Sequence, residues 1–226
     1  MRLVVLGATG RTGLLLVRRA LDEGHTVTAY GRRRGDLPEH PALTVVVGSL
    51  ADQAALASAF AGADAVVSCL GPALPFARST LMSDTLPVVA DAMCTAGVRR
   101  IVVLSALGVG DSIRRLSPVM RFAYSTVTRP VFADKRHAEA HLRQSDLDWT
   151  LVYPGVLTGD LPAGFPVGPL LGLLTGGRSR GPATIRDLST VDRIPGVPLV
   201  TRTEVARALL LTVTDTTWSR RTAAVL

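Results

Sequence analysis

The sequence has 226 residues, 47% of them hydrophobic and 19% charged, which is enough chain to close one core and too apolar to remain disordered. The net charge is +7, but the basic pairs and the triplet Arg32-Arg33-Arg34 are scattered, and with 4% aromatic residues there is no platform for stacking nucleic-acid bases. Two cysteines, Cys69 and Cys94, are too few for a disulfide framework and fit a reducing, cytoplasmic setting.

The first apolar run, Leu3–Leu6, is short and turns at once into a glycine loop, so it reads as a buried strand and not as a signal peptide. A helical stretch Arg11–Glu23 follows, then strands Thr26–Tyr30 and Thr44–Val47, a helix Asp52–Ala61 and a strand Ala65–Cys69. The next helix, Ser79–Ala96, contains Pro87, which predicts a break or kink there. Gly24, Gly62 and Gly97 each follow a helical run, where C-terminal caps belong. Strand Ile101–Leu104, helix Val131–Ser145 and strand Trp149–Tyr153 complete the alternation. The strands are nearly continuous apolar runs, as parallel strands buried on both faces are, and the spacing predicts an α/β fold with a doubly wound parallel (Rossmann) sheet.

After Tyr153 the alternation stops, and residues 154–200 are rich in Pro and Gly. The uncharged stretch Leu161–Gly177 is interrupted by Pro162, Pro166 and Pro169, so it does not read as a membrane span. Because ligands of such sheets bind outside the carboxyl ends of the strands, this loop-rich segment is expected to form a small C-terminal substrate-covering region. A last helix, Thr203–Thr214, capped by Thr201 or Thr203, and an edge strand Thr222–Leu226 close what is expected to be one domain over residues 1–226.

The main chemical signal is Gly7-Ala8-Thr9-Gly10-Arg11-Thr12-Gly13 between a strand and a helix. Glycines there allow a tight turn and close approach of backbone N–H groups to a pyrophosphate, and the helix N-terminus adds partial positive charge. The second strand ends in Gly31-Arg32-Arg33-Arg34, with no acidic residue before Asp36. An acid there would hold ribose hydroxyls and repel a 2′-phosphate, whereas guanidinium forks bind phosphate, so the expected cofactor is NADP(H), with Arg32, Arg33 and Arg11 on the phosphate.

With Gly48-Ser49-Leu50, Ser68-Cys69-Leu70-Gly71, Val102-Val103-Leu104-Ser105-Ala106, Asp134-Lys135, Leu147-Asp148-Trp149-Thr150-Leu151-Val152-Tyr153-Pro154-Gly155 and Thr201-Arg202-Thr203-Glu204 in this order, the sequence resembles the NAD(P)H-binding atypical short-chain dehydrogenases/reductases, which include biliverdin IXβ/flavin reductase and NmrA-like proteins. The resemblance implies cofactor contacts from Gly7, Thr9, Gly10, Arg11, Thr12 and Gly13, and from Ser49 and Leu50 beside the adenine, with Ser49 standing where the family usually has Asp. It also implies contacts from Cys69, Leu70 and Gly71 along the ribose and pyrophosphate, from Ser105 at the nicotinamide, and from Pro154, Val156 and Leu157 past the carboxamide. Read without the resemblance, Cys69 is a buried apolar thiol.

Orthodox members of the superfamily use Ser, Tyr and Lys, with the Tyr four residues before the Lys. Here Ser105 and Lys135 match, but Val131 stands in place of the Tyr, and the chain has no Asn. Lys135 is the sole lysine beside 24 arginines and falls where the family holds the ribose. Tyr124 and Tyr153 are candidate substitute acids, and His137 and His141 lack the third ligand a metal site needs, so no metal is expected. These features predict an NADPH-dependent reductase of a small apolar carbonyl, enone, quinone or flavin-type acceptor, with a small molecule as partner, no nucleic acid or membrane, and a monomer or homodimer. The alternatives are an NADP(H)-binding sensor without catalysis and a non-redox isomerase, dehydratase or cyclase on the same scaffold.

Overall fold

A computed structural model describes residues 1–72, 79–127, 129–158, 183–194 and 196–226. The expected strands form as β1 (Arg2–Leu6), β2 (Thr26–Gly31), β3 (Leu43–Val47), β4 (Ala65–Ser68), β5 (Arg100–Leu104) and β6 (Asp148–Pro154). The helices between them are α1 (Arg11–Asp22), α2 (Gln53–Phe60), α3 (Leu81–Ala96), α4 (Pro118–Val127) and α5 (Arg129–Gln144). A short strand β7 (Val156–Leu157) pairs with β9 (Leu199–Val200) outside the main sheet. The chain closes with β8 (Ile185–Asp187), α6 (Arg202–Thr214) and β10 (Arg221–Val225).

The main sheet has the order β3-β2-β1-β4-β5-β6-β10-β8, parallel throughout except for β8. The period of two along each strand explains its two cores. On β1, Val4 and Leu6 enter the layer shared with α2, α3 and α5, while Leu3 and Val5 enter the layer shared with α1 and α6. On β5, Ile101 and Val103 go to the first layer, and Val102 and Leu104 go to the second.

Four expectations change. The break at Pro87 does not form: α3 runs through it, because Leu86, Val89, Ala90 and Met93 are buried on both sides of the proline and this packing offsets one missing hydrogen bond. The last strand is not an edge, because β8 pairs antiparallel with β10 and takes the outer position. Strands of two or three residues such as β7, β8 and β9 carry no readable period in a Pro/Gly-rich segment, and α4 was likewise not expected. Of the substrate-covering region, the apolar stretch 161–177 lies outside the described residues, while Ile185–Asp187 is part of the sheet.

Candidate functional site

The strand order reverses between β1 and β4, and the two loops leaving these strands meet there. Cys69 N–H donates to Leu6 O at 2.8 Å, and Gly10 N–H donates to Gly7 O at 3.0 Å. Gly7 has φ +73°, and a Cβ on it would lie 2.8 Å from Cys69 O. A Cβ on Gly13 would lie 2.2 Å from Gly7 O, so only glycine lets α1 start this close to the turn. Gly10 is the N-cap of α1 and provides no side-chain cap, and the first turn holds no acidic residue. The helix therefore offers its first N–H groups to an anion.

The end of β2 borders this crevice. Arg32 and Arg33 are exposed just beyond Gly31, and a Cβ on Gly35 would lie 2.8 Å from the Thr9 side chain, so the arginine turn rests on the glycine loop. Arg202, at the start of α6, carries a pKa lowered by burial and by the charge of Arg11, so two guanidiniums share the loop. A capping box formed by Thr201 and Glu204 fixes that end of α6, with Glu204 N–H donating to Thr201 Oγ1 at 3.2 Å and Thr201 N–H donating to Glu204 Oε2 at 2.7 Å. Ser49 O accepts from the Tyr30 hydroxyl at 2.9 Å, which pins the turn carrying Ser49 and Leu50. Leu70 packs into the core, so its backbone borders the crevice. Burial pushes the Cys69 thiol up to about 12, which makes it a neutral wall group with no nucleophilic role.

A second group of residues gathers at the carboxyl ends of β5 and β6. Ser105 N–H donates to Val152 O at 2.8 Å, and Leu107 N–H donates to Pro154 O at 3.0 Å, tying the two strand ends together. Ser105 Oγ hydrogen-bonds Glu139 Oε1, and the Tyr153 hydroxyl hydrogen-bonds Glu139 Oε2. Lys135 lies one turn before Glu139 on α5 and is buried with it. Its pKa is lowered to about 8 by burial, against the opposing charges of Glu139 and Asp134. Burial also raises the Glu139 carboxyl, although hydrogen bonds from Ser105 and Tyr153 and the charges of Arg143 and Lys135 oppose it. Tyr153 is raised too, by burial first and then by Glu139. Asp134 faces another way, accepting Met82 N–H at 3.1 Å and Ser83 N–H at 2.8 Å, and so caps α3 from α5.

The sequence profile of NAD(P)H-binding proteins matches residues 7–179. The chain belongs to the NAD(P)H-binding family. Solved structures agree on the fold: a short-chain dehydrogenase/reductase from Veillonella parvula in complex with NADP superposes with a TM-score of 0.73 at 20% identity, over 99% of this chain and 93% of that one. ChuY, an anaerobilin reductase from Escherichia coli O157:H7, gives a TM-score of 0.69 at 21% identity, over 100% and 97%. In sequence, the photosystem II assembly factor Ycf39 of Synechocystis is 27% identical over 67% of this chain and 44% of its own length. The chain thus spans less than half of the curated relatives it matches.

For this NAD(P)H-binding chain, the bare α1 N-terminus, the glycine cradle and the flanking arginines suit a dinucleotide phosphate group. From β2 to β5 the sheet edge spans three strand spacings, roughly 14 Å at ~4.8 Å each, and Arg32 and Ser105 stand at the two ends of that line. Tyr124 packs edge-on against Phe132 with ring centroids 5.3 Å apart and sits over Gly108. His137 and His141 are exposed on α5. Glu139 is the site residue that sequence reading missed. Its signal was present, because it stands four residues after Lys135 and so shares that helix face, but nothing in the sequence shows that this face turns inward.

A cavity of about 710 Å³ opens beside the group, on the α5 side of β6 and β10. Glu139 and Tyr153 line it, together with Arg136 and Arg143 of α5, Arg115, and Arg221 paired with Asp187 at 2.8 Å. None of the glycine-loop residues reach it.

Proposed function

We propose that this chain is an NADPH-dependent reductase of a small conjugated or carbonyl acceptor of the enone, quinone or flavin type. The observation that carries the reading is the gathering of Ser105, Lys135, Glu139 and Tyr153 at the same sheet edge as the glycine loop. The α1 N-terminus and the backbone of Gly7, Thr9, Gly10, Thr12 and Gly13 hold the pyrophosphate. Arg32, Arg33 and Arg11 hold the 2′-phosphate. Ser49 and Leu50 flank the adenine, and Cys69, Leu70 and Gly71 follow the ribose and pyrophosphate. Lys135 binds the nicotinamide ribose, and Pro154, Val156 and Leu157 border the carboxamide. The dinucleotide, when bound, supplies the hydride.

Ser105 is the catalytic residue of this reading: its hydroxyl donates a hydrogen bond to the acceptor oxygen, where negative charge grows as hydride arrives. Lys135, its pKa lowered to about 8 by burial, places its amine in the same region. A conjugated acceptor takes hydride readily, and this suits a site with Val131 where orthodox relatives carry a tyrosine; a structural neighbour named as an anaerobilin reductase is in keeping with such an acceptor.

The test follows NADPH consumption against flavins, quinones, enones and simple ketones, with NADH in parallel. The reading expects turnover with at least one conjugated class and a preference for NADPH. Tight NADPH binding with no turnover across the panel would overturn it in favour of a redox sensor, and product formed without NADPH consumption would mark non-redox chemistry.

A further inference from the structure

One buried carboxyl, Glu139, serves two hydroxyls, and this sets a problem of proton counting. Ser105 and Tyr153 each own a single O–H. If Glu139 is ionised, it has no proton to give, so both hydroxyls must donate to it. Ser105 would then present only lone pairs toward the sheet edge, and it could not donate to an acceptor oxygen. If Glu139 is neutral, it gives its one proton to one hydroxyl and accepts from the other. Arg143 donates a hydrogen bond to the Tyr153 oxygen, which leaves the Tyr153 O–H to donate to Oε2, so the carboxyl proton goes from Oε1 to Ser105 Oγ and the Ser105 proton is free to point outward.

We propose that Glu139 is a neutral carboxylic acid in the folded protein and a positioning residue that aims the Ser105 hydroxyl proton at the ligand. The chain of bonds then runs one way, from Tyr153 through Glu139 to Ser105, and ends where the acceptor oxygen is placed by the reductase reading on which this role rests. It supplies a directed hydrogen-bond donor in a chain that has Val131 in place of the usual tyrosine.

The surroundings support the neutral form. Glu139, Ser105 and Tyr153 are 5%, 4% and 2% exposed, so an ionised carboxylate here would lose most of its hydration. The groups that face it are Lys135 one turn before and Arg143 one turn after on α5, Ser105 from the end of β5, and Tyr153 from β6. Across the cavity stands Arg221, already neutralised by Asp187. Arg143 is partly engaged elsewhere: its guanidinium lies 4.8 Å from the Trp149 ring centroid and donates to Thr222 Oγ1 at 3.2 Å. Lys135 and Arg143 favour the charged form, yet burial dominates and raises the carboxyl.

The test starts with the full chain free of ligand, so that its outcome does not depend on turnover. Infrared difference spectra of wild type against Glu139→Gln at neutral pH are expected to show a protonated-carboxyl C=O band that the variant lacks. Absence of the band in the wild type would overturn the proposal whatever the enzyme does. In Tyr153→Phe, the carboxylate loses a donor that favours its charged form, so the band should survive to higher pH; an unchanged titration would break the link between the two residues.

Turnover gives the second arm. Glutamine keeps the neutral geometry, since its amide N–H donates to Ser105 and its carbonyl accepts from Tyr153, while leucine keeps neither bond. Glu139→Leu is expected to fall about 10²-fold in kcat, in the range for loss of a positioned proton-donating group, and to match Ser105→Ala. Glu139→Gln is expected to recover most of that loss and to flatten the alkaline fall of the pH profile. If the glutamine variant melts like wild type but is as slow as the leucine variant, hydrogen-bond direction is not the device. Failure of every acceptor to react would overturn the reductase reading and leave the infrared result to decide the state of Glu139.

Discussion

Replacing Gly13 by alanine tests whether the close start of α1 serves cofactor binding. The added Cβ would lie 2.2 Å from Gly7 O and 2.9 Å from Ala8 Cα, both backbone atoms. To reach even 3.0 Å, below which real Cβ contacts are essentially never found, the helix and loop must separate by roughly 0.8 Å. Alanine within a helix gains about 0.5–1 kcal/mol over glycine, whereas forcing extra atoms into a packed site costs about 1–3 kcal/mol. The net expectation is a loss of about 1–2 kcal/mol, read as a fall in Tm of roughly 2–8 °C for a chain of this size. The first N–H groups of α1, which the proposed function places on the pyrophosphate, move with the helix. Loss of one hydrogen bond to a charged group, about 1.5–3 kcal/mol, weakens NADPH binding by roughly 10- to 100-fold. Differential scanning fluorimetry and calorimetric titration with NADPH measure the two effects. Gly31→Ala is the control, since nothing lies within 4 Å of its added Cβ, and its stability should stay within about 0.5 kcal/mol of wild type. Wild-type Tm and affinity in Gly13→Ala would refute the argument that the tight turn builds the phosphate site.

Three further outcomes follow from the same geometry. The Lys135 pKa falls from 10.5 to about 8 on burial, so between these values the unfolded chain holds more protons, and stability rises with pH through that window. The full penalty, about 3 kcal/mol, applies below pH 8; Lys135→Met should therefore raise Tm at neutral pH, abolish the alkaline rise and weaken NADPH binding, and a lower Tm at pH 7 would contradict the sign. Arg32→Ala combined with Arg33→Ala should cut NADPH affinity by about 10-fold or more while leaving NADH nearly unchanged, as isothermal titration with both cofactors would show; equal losses would mean that these arginines do not read the 2′-phosphate. Asp134→Ala leaves the Met82 and Ser83 N–H groups without their acceptor and should cost about 1–2 kcal/mol, seen as a shifted urea midpoint with unchanged m.

Much of this protein was legible in one dimension. The runs Leu3–Leu6, Ala65–Ser68 and Ile101–Leu104 are apolar on both faces, and such strands have no stable place except inside a sheet covered on two sides. The glycine loop declared itself because its spacing and its strand–turn–helix setting are local properties of the chain. Thr201, one of the two N-caps expected for the last helix, marked its start for the same reason, since a cap bonds within three residues of itself. Elements shorter than one period, such as β8, left no pattern to read, and Pro87 does not break α3, because local propensity carries no information about the packing on either side of it.

The site divides along the same line. Gly7, Gly10 and Gly13 lie within one short stretch of sequence and Arg32 directly follows the next strand, so the expectation that they share a phosphate site could be drawn from local pattern alone. Ser105, Glu139 and Tyr153 are separated by 34 and 14 residues in the chain, and only the parallel pairing of β5 with β6 and the docking of α5 bring them to one carboxyl group. Glu139 had an ordinary place on a helix rich in charge, and sequence could not say that its face turns away from water. Burial is a property of the folded surroundings, and it is burial that turns an acid, a lysine and two hydroxyls into groups with direction.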